Sequence, residues 1–186
     1  MYEWTNASLS IDKNGRLNSS LSLKSGSIKA PAGNYFPNLN FTIMAWVKMR
    51  SYPKYARLID FSISGGMSCD VSFLLSDENG RFRINIRKSN NAYMTNSPST
   101  RSLILNTWEH VAINFDGTLA SLYLNGEYDI SYQSYAPCSG NYAYNLIGGG
   151  NLVSDDLDAD IDELKFFSKA LTKSEIQFEM NNNMYN

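Results

Sequence analysis

The sequence predicts an all-β fold, a two-sheet antiparallel β-sandwich closed by a short C-terminal helix. Three observations carry that prediction. Apolar or alternating runs of strand length recur along the whole chain. Asn79-Gly80, Asp116-Gly117 and Asn125-Gly126 stand between such runs, and these pairs adopt the backbone that tight reversals need. The length of 186 residues suits one two-layer core, and no repeat or linker interrupts it, so 1–186 is expected to be a single domain.

The elements follow in order. Residues 7–11 form a short alternating strand, and Asp12-Lys13-Asn14-Gly15 is a turn by its residue types. Residues 17–23 alternate with period two, and 26–31 give a further short strand. The strongest run is 41–49, β-branched and aromatic and partly apolar on both parities, as a strand covered on both faces should be; Trp46 within it is expected in the core. Residues 55–64 and 71–75 read as strands around Gly65-Gly66, and Asn79-Gly80 makes a hairpin into 82–87. Residues 88–102 are a long polar loop of the kind that carries function. Three strands in 106–130, joined at Asp116-Gly117 and Asn125-Gly126, form a meander, and 145–150 is a short strand ending in a glycine run.

The acidic stretch 155–163 invites three readings: a catalytic carboxylate set, a metal site, or a closing strand. Ile161, Leu164 and Phe166 are spaced three and then two apart, so a strict period of two cannot bring all three into one core. A β-bulge near Asp162 or Glu163 restores the phase. Thr172 and Glu175 then form a capping box that starts the helix.

Composition narrows function. A formal charge of −2 from 16 basic and 18 acidic scattered residues leaves no footprint for nucleic acid. No run approaches the ~18 apolar residues of a membrane span, so no membrane insertion is expected. Cys69 and Cys138 allow one disulfide at most, and both the bonded and the free state fit their positions. His110, the single histidine, is expected to be a packed strand residue rather than a catalyst. Gly148-Gly149-Gly150 lacks the helix start and the Lys-Ser/Thr pair of a phosphate loop.

In order and spacing, several segments resemble the laminin-G-like, concanavalin-A-like jelly-roll family over roughly residues 10 to 178. They are Phe41-Thr42-Ile43-Met44-Ala45-Trp46-Val47-Lys48; Trp108-Glu109-His110-Val111-Ala112 with Asp116-Gly117; Leu122-Tyr123-Leu124-Asn125-Gly126; Leu146-Ile147-Gly148; and Asp160-Ile161-Asp162-Glu163-Leu164 with Ala170-Leu171-Thr172 and Glu175-Ile176. The resemblance implies a jelly-roll binding domain for glycans or proteins, cut from a larger secreted or cell-surface protein, often with a structural calcium ion on its rim. Asp12, Asp160 and Asp162 are the candidate metal ligands, since calcium takes six to eight oxygens from carboxylates and carbonyls. Glucanases of this architecture use a Glu-x-Asp-x-x-Glu strand. Here the corresponding positions begin with aspartates and Glu163 adjoins Asp162, so the match fails and no enzyme activity is expected.

The first expectation is therefore a non-catalytic, lectin-like carbohydrate-binding or adhesion module with a glycan or glycoprotein ligand. The alternative is a protein-interaction or spacer domain without a glycan site, and a glycan-active hydrolase is more remote. Sugar C–H faces stack on aromatic rings and amides bind sugar hydroxyls. The two unmatched loops supply these types: Asn90, Asn91, Tyr93 and Asn96 in one, Tyr135, Asn141 and Tyr142 in the other, with Tyr132 and Tyr144 assigned by strand parity to core edges.

Overall fold

The computed structural model describes residues 4–65, 68–89, 92, 94, 97–150 and 156–182. The strands are β1 (Trp4–Ser10), β2 (Ser20–Lys29), β3 (Phe41–Met49), β4 (Arg57–Ser62), β5 (Asp70–Leu74), β6 (Arg83–Ile86), β7 (Glu109–Phe115), β8 (Leu119–Leu124), β9 (Glu127–Gln133), β10 (Tyr144–Ile147) and β11 (Leu157–Phe167). One helix, α1 (Lys173–Asn181), follows. All pairings between these strands are antiparallel and form one curled ladder in the order β6-β5-β4-β10-β2-β11-β3-β7-β8-β9, with β1 on the outer edge of β2.

β2 is what lets one ladder fold over on itself. Its residues 21–26 pair with β11, whereas Ile28 and Lys29 pair with β10. Between them the strand bends. Ser25 and its neighbour Asn6 on β1 take φ of 50° and 48°, and a Cβ on Gly26 would run into the carbonyls of Thr5 and Asn6. The sequence reads the same stretch as two strands, 17–23 and 26–31, because Gly26 looks like a break; it is a bend inside one strand, and Leu17 lies outside it, 73% exposed.

The two halves of the ladder then face each other across one buried cluster. Phe61, Val71, Phe73 and Ile84 come from one half, and Ile43, Val47, Val111, Ile113 and Phe115 from the other. Phe61 on β4 stacks on Phe166 of β11 at 5.5 Å, and Tyr35 touches both rings. At the far ends of the ladder the Tyr132 hydroxyl of β9 accepts from the Ile84 N–H at 3.1 Å and donates to the Ile84 carbonyl at 3.3 Å, which ties β9 to β6. Pairing continues through β2, so no gap divides the strands into separate sheets.

The closing strand carries the expected bulge. Asp162 pairs with Trp46 and Lys165 with Met44, so Glu163 and Leu164 together stand opposite Ala45, and Glu163 takes φ +47°. Ile161, Leu164 and Phe166 consequently all meet the core. The capping box is formed at Thr172 and Glu175. Helix α1 and its lead-in set Leu171 and Ile176 on Met44, Ala112 and Tyr123, covering the outer face of the β3-β7-β8 half. Trp46 belongs to this outer face rather than to the core: it is half-buried, and its indole N–H donates to the Met180 carbonyl at 3.3 Å. The Asn79-Gly80 turn lies inside a longer connection between β5 and β6, where the Asp77 carboxylate accepts from the N–H groups of Asn79 and Arg81.

Candidate functional site

Among the described residues no helix covers the outer face of the other half. Strand alternation points Val71, Phe73, Ile84 and Ile86 into the core, so their neighbours Asp70, Ser72, Arg83 and Asn85 point outward. Cross-strand register aligns these residues into rows. One row runs Asn85, Ser72, Asp60, Leu146, Lys29 across β6, β5, β4, β10 and β2. Beside it Asp70, Ser62 and Tyr144 form a second row, and Arg83, Leu74 and Arg57 a third.

The floor of this face is a buried ionic network. Asp60 and Asp70 are 3% and 2% exposed. Arg57 donates to Asp60 at 2.5 Å and Arg87 to Asp70 at 3.0 Å. The Ser72 hydroxyl lies 2.7 Å from Asp60 Oδ1 and 3.1 Å from Asp70 Oδ2, and its single proton can serve only one of them at a time. Burial pushes the Asp70 carboxyl up, with Asp60 adding to the rise and Arg87 opposing it. Asp70 Oδ1 is buried with no hydrogen-bond partner among the described residues.

Over this floor opens a cavity of about 280 Å³, walled by Lys29, Asp60, Tyr144, Asn145, Leu146 and the small polar Thr5 and Ser27. The Tyr144 ring is the exposed wall. It is 56% accessible and rests on Gly65, where a Cβ would lie 2.9–3.0 Å from three ring carbons. Asn145 holds the back of the cavity, donating to the Pro31 carbonyl at 2.7 Å and the Tyr142 carbonyl at 2.8 Å. At the far end of β4 a second tyrosine, Tyr55, is 41% exposed with the Arg83 guanidinium 5.8 Å from its ring centre. An open aromatic ring beside hydroxyl, amide and charged groups is the arrangement that stacks a polar ring and hydrogen-bonds its substituents.

The residues singled out from sequence distribute differently. Asn90, Asn91, Tyr93 and Asn96 lie outside the described residues. Tyr142 is corrected: it is fully buried, edge-on to Phe36, and its hydroxyl donates to the Cys138 carbonyl at 2.9 Å, so it cannot touch a ligand. Asn141 is exposed and Tyr135 half-buried, with the Lys88 ammonium 4.5 Å from the Tyr135 ring centre. That contact joins the two unmatched loops, and a Cys69–Cys138 disulfide at a Cα separation of 5.4 Å ties the second of them to the connection between β4 and β5. Tyr132 does cover a core edge, but Tyr144 does the opposite, because Asn145 rather than Tyr144 occupies the inward position opposite Phe61.

The candidate metal ligands separate. The Asp160 carboxylate is taken up by Arg50 at 2.6 Å and Lys48 at 3.0 Å. Although burial opposes it, bonds from Ser22, Lys48 and Arg50 hold its carboxyl below the usual range. Asp162 stands with Asp12: burial raises its carboxyl, the Lys13 N–H at 3.4 Å counters this, and the charges of Glu163 and Asp12 add to the rise. One oxygen of Asp12 accepts from the Asn14 and Arg16 N–H groups at 2.8 Å. Among the described residues no three His, Cys, Asp or Glu side chains converge as a metal would need.

Comparison with protein families matches residues 22–177 to the concanavalin A-like lectin/glucanases superfamily. The chain belongs to this superfamily. Solved structures with the same fold include domain 4 of AbnA, a GH43 extracellular arabinanase from Geobacillus stearothermophilus, in complex with arabinotriose. It has a TM-score of 0.72 and 18% identity, covering 96% of this chain and 81% of that one. The binding domain of Paraclostridial Mosquitocidal Protein 1 matches with a TM-score of 0.72 and 16% identity, over 97% of this chain and 47% of that one. Trypanosoma rangeli sialidase in complex with sialic acid matches with a TM-score of 0.65 and 22% identity, over 95% of this chain but 28% of the sialidase. No curated protein sequence matches the chain.

For this superfamily member, sequence reading looked to the loops and passed over the sheet face. A signal was present. Asp60 and Ser62, Asp70 and Ser72, and Arg83, Asn85 and Arg87 are polar at period two inside strand runs, which marks an outward face. What alternation does not tell is that β4, β5, β6, β10 and β2 lie side by side, because two of the four pairings, β4 with β10 and β10 with β2, join strands far apart in the chain.

Proposed function

We propose that the chain is a non-catalytic carbohydrate-binding module of an extracellular or cell-surface protein, and that the glycan lies on the open outer face between Tyr144 and Tyr55. The curled ladder is read here as the two-sheet jelly roll of the superfamily, with the break between sheets at the bend of β2. The observation that carries the reading is the Tyr144 ring, 56% exposed at the mouth of a cavity of about 280 Å³ whose other walls are Leu146 and hydroxyl, amide and charged groups. The arabinotriose held by the arabinanase domain lends support by likeness of fold. The Cys69–Cys138 bond supports an oxidising compartment. A binding rather than hydrolytic role is supported by Asp60 and Asp70, which are nearly inaccessible and each held by an arginine, whereas an acid and nucleophile must reach the glycosidic bond. A glycan array followed by titration calorimetry tests the reading. Tyr144→Ala is expected to weaken the best ligand about tenfold or more with unchanged thermal melting; no binding to any glycan, or binding indifferent to Tyr144→Ala, overturns it.

A protein partner is favoured by a separate observation. Leu9, Ile11 and Leu17 are 56%, 47% and 73% exposed around the end of β1, an edge strand without a charged residue. Serine at all three positions should lower binding of such a partner and leave glycan binding unchanged. A structural calcium ion is proposed in reduced form, at Asp12 and Asp162 with the remaining oxygens from carbonyls and water; Asp160 does not fit, being occupied by Lys48 and Arg50.

A further inference from the structure

The open face carries surplus positive charge on a chain whose formal charge is −2. Its rows, with Arg87 just beyond β6, present four cations, Lys29, Arg57, Arg83 and Arg87, against two carboxylates, Asp60 and Asp70. Arg57 and Arg87 are engaged with those carboxylates at 2.5 and 3.0 Å. Among the described residues, Lys29 and Arg83 have no carboxylate within ion-pair distance. The surplus is therefore located: it sits on these two side chains.

Each of them stands beside an exposed tyrosine. The Arg83 guanidinium is 5.8 Å from the centre of Tyr55. Lys29 pairs across strands with Leu146, two residues from Tyr144, and lines the same cavity as that ring. Tyr144 is level with Ser62, and Tyr55 lies just beyond Arg57 at the other end of β4, so the five residue steps of that strand, at about 3.3 Å each, set the two tyrosines roughly 15 Å apart. One sugar cannot reach both, whereas a chain of several can. The space between is not hostile to an anion, since the two carboxylates there are buried and already neutralised.

Resting on the glycan reading above, we propose that this face binds an acidic polysaccharide, a chain of sugars bearing carboxylate or sulfate groups, through two subsites: Tyr144 with Lys29, and Tyr55 with Arg83. At each subsite the ring stacks on the C–H face of a sugar while the cation meets the anionic substituent. Arg83 offers a planar fork suited to a carboxylate or sulfate, and Lys29 a mobile point charge. Opposite charges that meet at a solvent-exposed surface are screened by salt, so the affinity falls as salt rises.

The test uses titration calorimetry of the whole chain with oligogalacturonides, their methyl esters of equal length, dextran sulfate, dextran and neutral arabinan. The acid is expected to bind about tenfold or more tightly than its ester, with the advantage shrinking in added salt. Lys29→Gln and Arg83→Gln should each bring the acid towards the affinity of the ester. Affinity should rise with oligomer length until both tyrosines are spanned, and Tyr55→Ala should erase that rise while sparing the short oligomer. Binding of dextran sulfate without galacturonate supports the proposal and assigns the anion as sulfate. Equal binding of acid and ester, and of dextran sulfate and dextran, overturns the acidic class and leaves the glycan reading standing. Acid binding that ignores both glutamine variants overturns the two subsites. Binding of none of the probes, arabinan included, overturns this proposal together with the glycan reading. Thermal melting of each variant checks that the fold is retained.

Discussion

Acidification should destabilise this domain through one histidine. His110 lies on β7 beneath α1, 2% exposed, edge-on to Trp46 at 5.4 Å. Burial, with the positive charges of Lys165 and Lys13 nearby, lowers its pKa from 6.5 to about 3, and its Nδ1 has no hydrogen-bond partner among the described residues. A depressed histidine is neutral in the folded chain where the unfolded chain already binds a proton, so its cost is absent above pH 6.5 and grows as pH falls from 6.5 towards 3. Moving from pH 7.5 to pH 5.0 should therefore remove about 2 kcal/mol of stability by this group alone. For a chain of this size that is a fall in Tm of about 4–8 °C. Asp70 and Asp162, whose carboxyls are raised, have the opposite sign and stabilise the fold as pH drops, so a single pH series is not diagnostic. The informative measurement is the difference between wild type and His110→Gln in urea unfolding at the two pH values, since the carboxylates contribute to both. Wild type should lose about 2 kcal/mol more than the variant. Equal losses would mean that His110 is solvated enough to accept a proton in place, and the reasoning from its burial would be wrong.

Two further outcomes follow from the same structure. The Cys69–Cys138 bond closes a loop with a sequence separation of 69, which in the chain-entropy account is worth about 4 kcal/mol, so reduction or a double Cys→Ala change should shift the urea midpoint down by a corresponding amount; an unchanged midpoint would show that the bond does not form or constrains nothing. Added calcium should raise Tm, chelator should reverse it, Asp162→Asn should abolish the response, and Asp160→Asn should leave it intact; a Tm indifferent to calcium and chelator removes the proposed ion.

The closing strand was legible because three large apolar residues, Ile161, Leu164 and Phe166, cannot share a core without one extra residue between them. Helix α1 was legible from Thr172 and Glu175 because a capping box is a local device. Tyr144 was not. Parity within a four-residue strand has two solutions, and an aromatic residue is the natural choice for the inside. The observed solution puts Asn145 inside, since its amide can satisfy the carbonyls of Pro31 and Tyr142 where the chain turns back. Lys29, Asp60 and Arg83 were equally hidden as a group, because only the pairing of β10 with both β2 and β4 brings Lys29 to the face that Asp60 and Arg83 share.

Alternation gives both halves of the ladder a polar outer face, and what separates them is what covers it. On the β11-β3-β7 half the outward residues are consumed internally. Lys165 caps the end of α1 through the carbonyls of Glu179 and Asn182, Thr42 holds the helix lead-in through Lys169 and Leu171, and Asp160 binds Lys48 and Arg50. On the β6-β5-β4-β10 half the deepest layer is consumed, Asp60 by Arg57 and Asp70 by Arg87, and the layer above it, with Tyr144, Lys29, Tyr55 and Arg83, projects over a neutralised floor. A floor whose charges are already paired costs a ligand little to cover, because the desolvation of those ions was met in folding. The paired acids therefore prepare the face for binding without taking part in it, and replacing Asp70 should harm the fold before it harms any ligand contact.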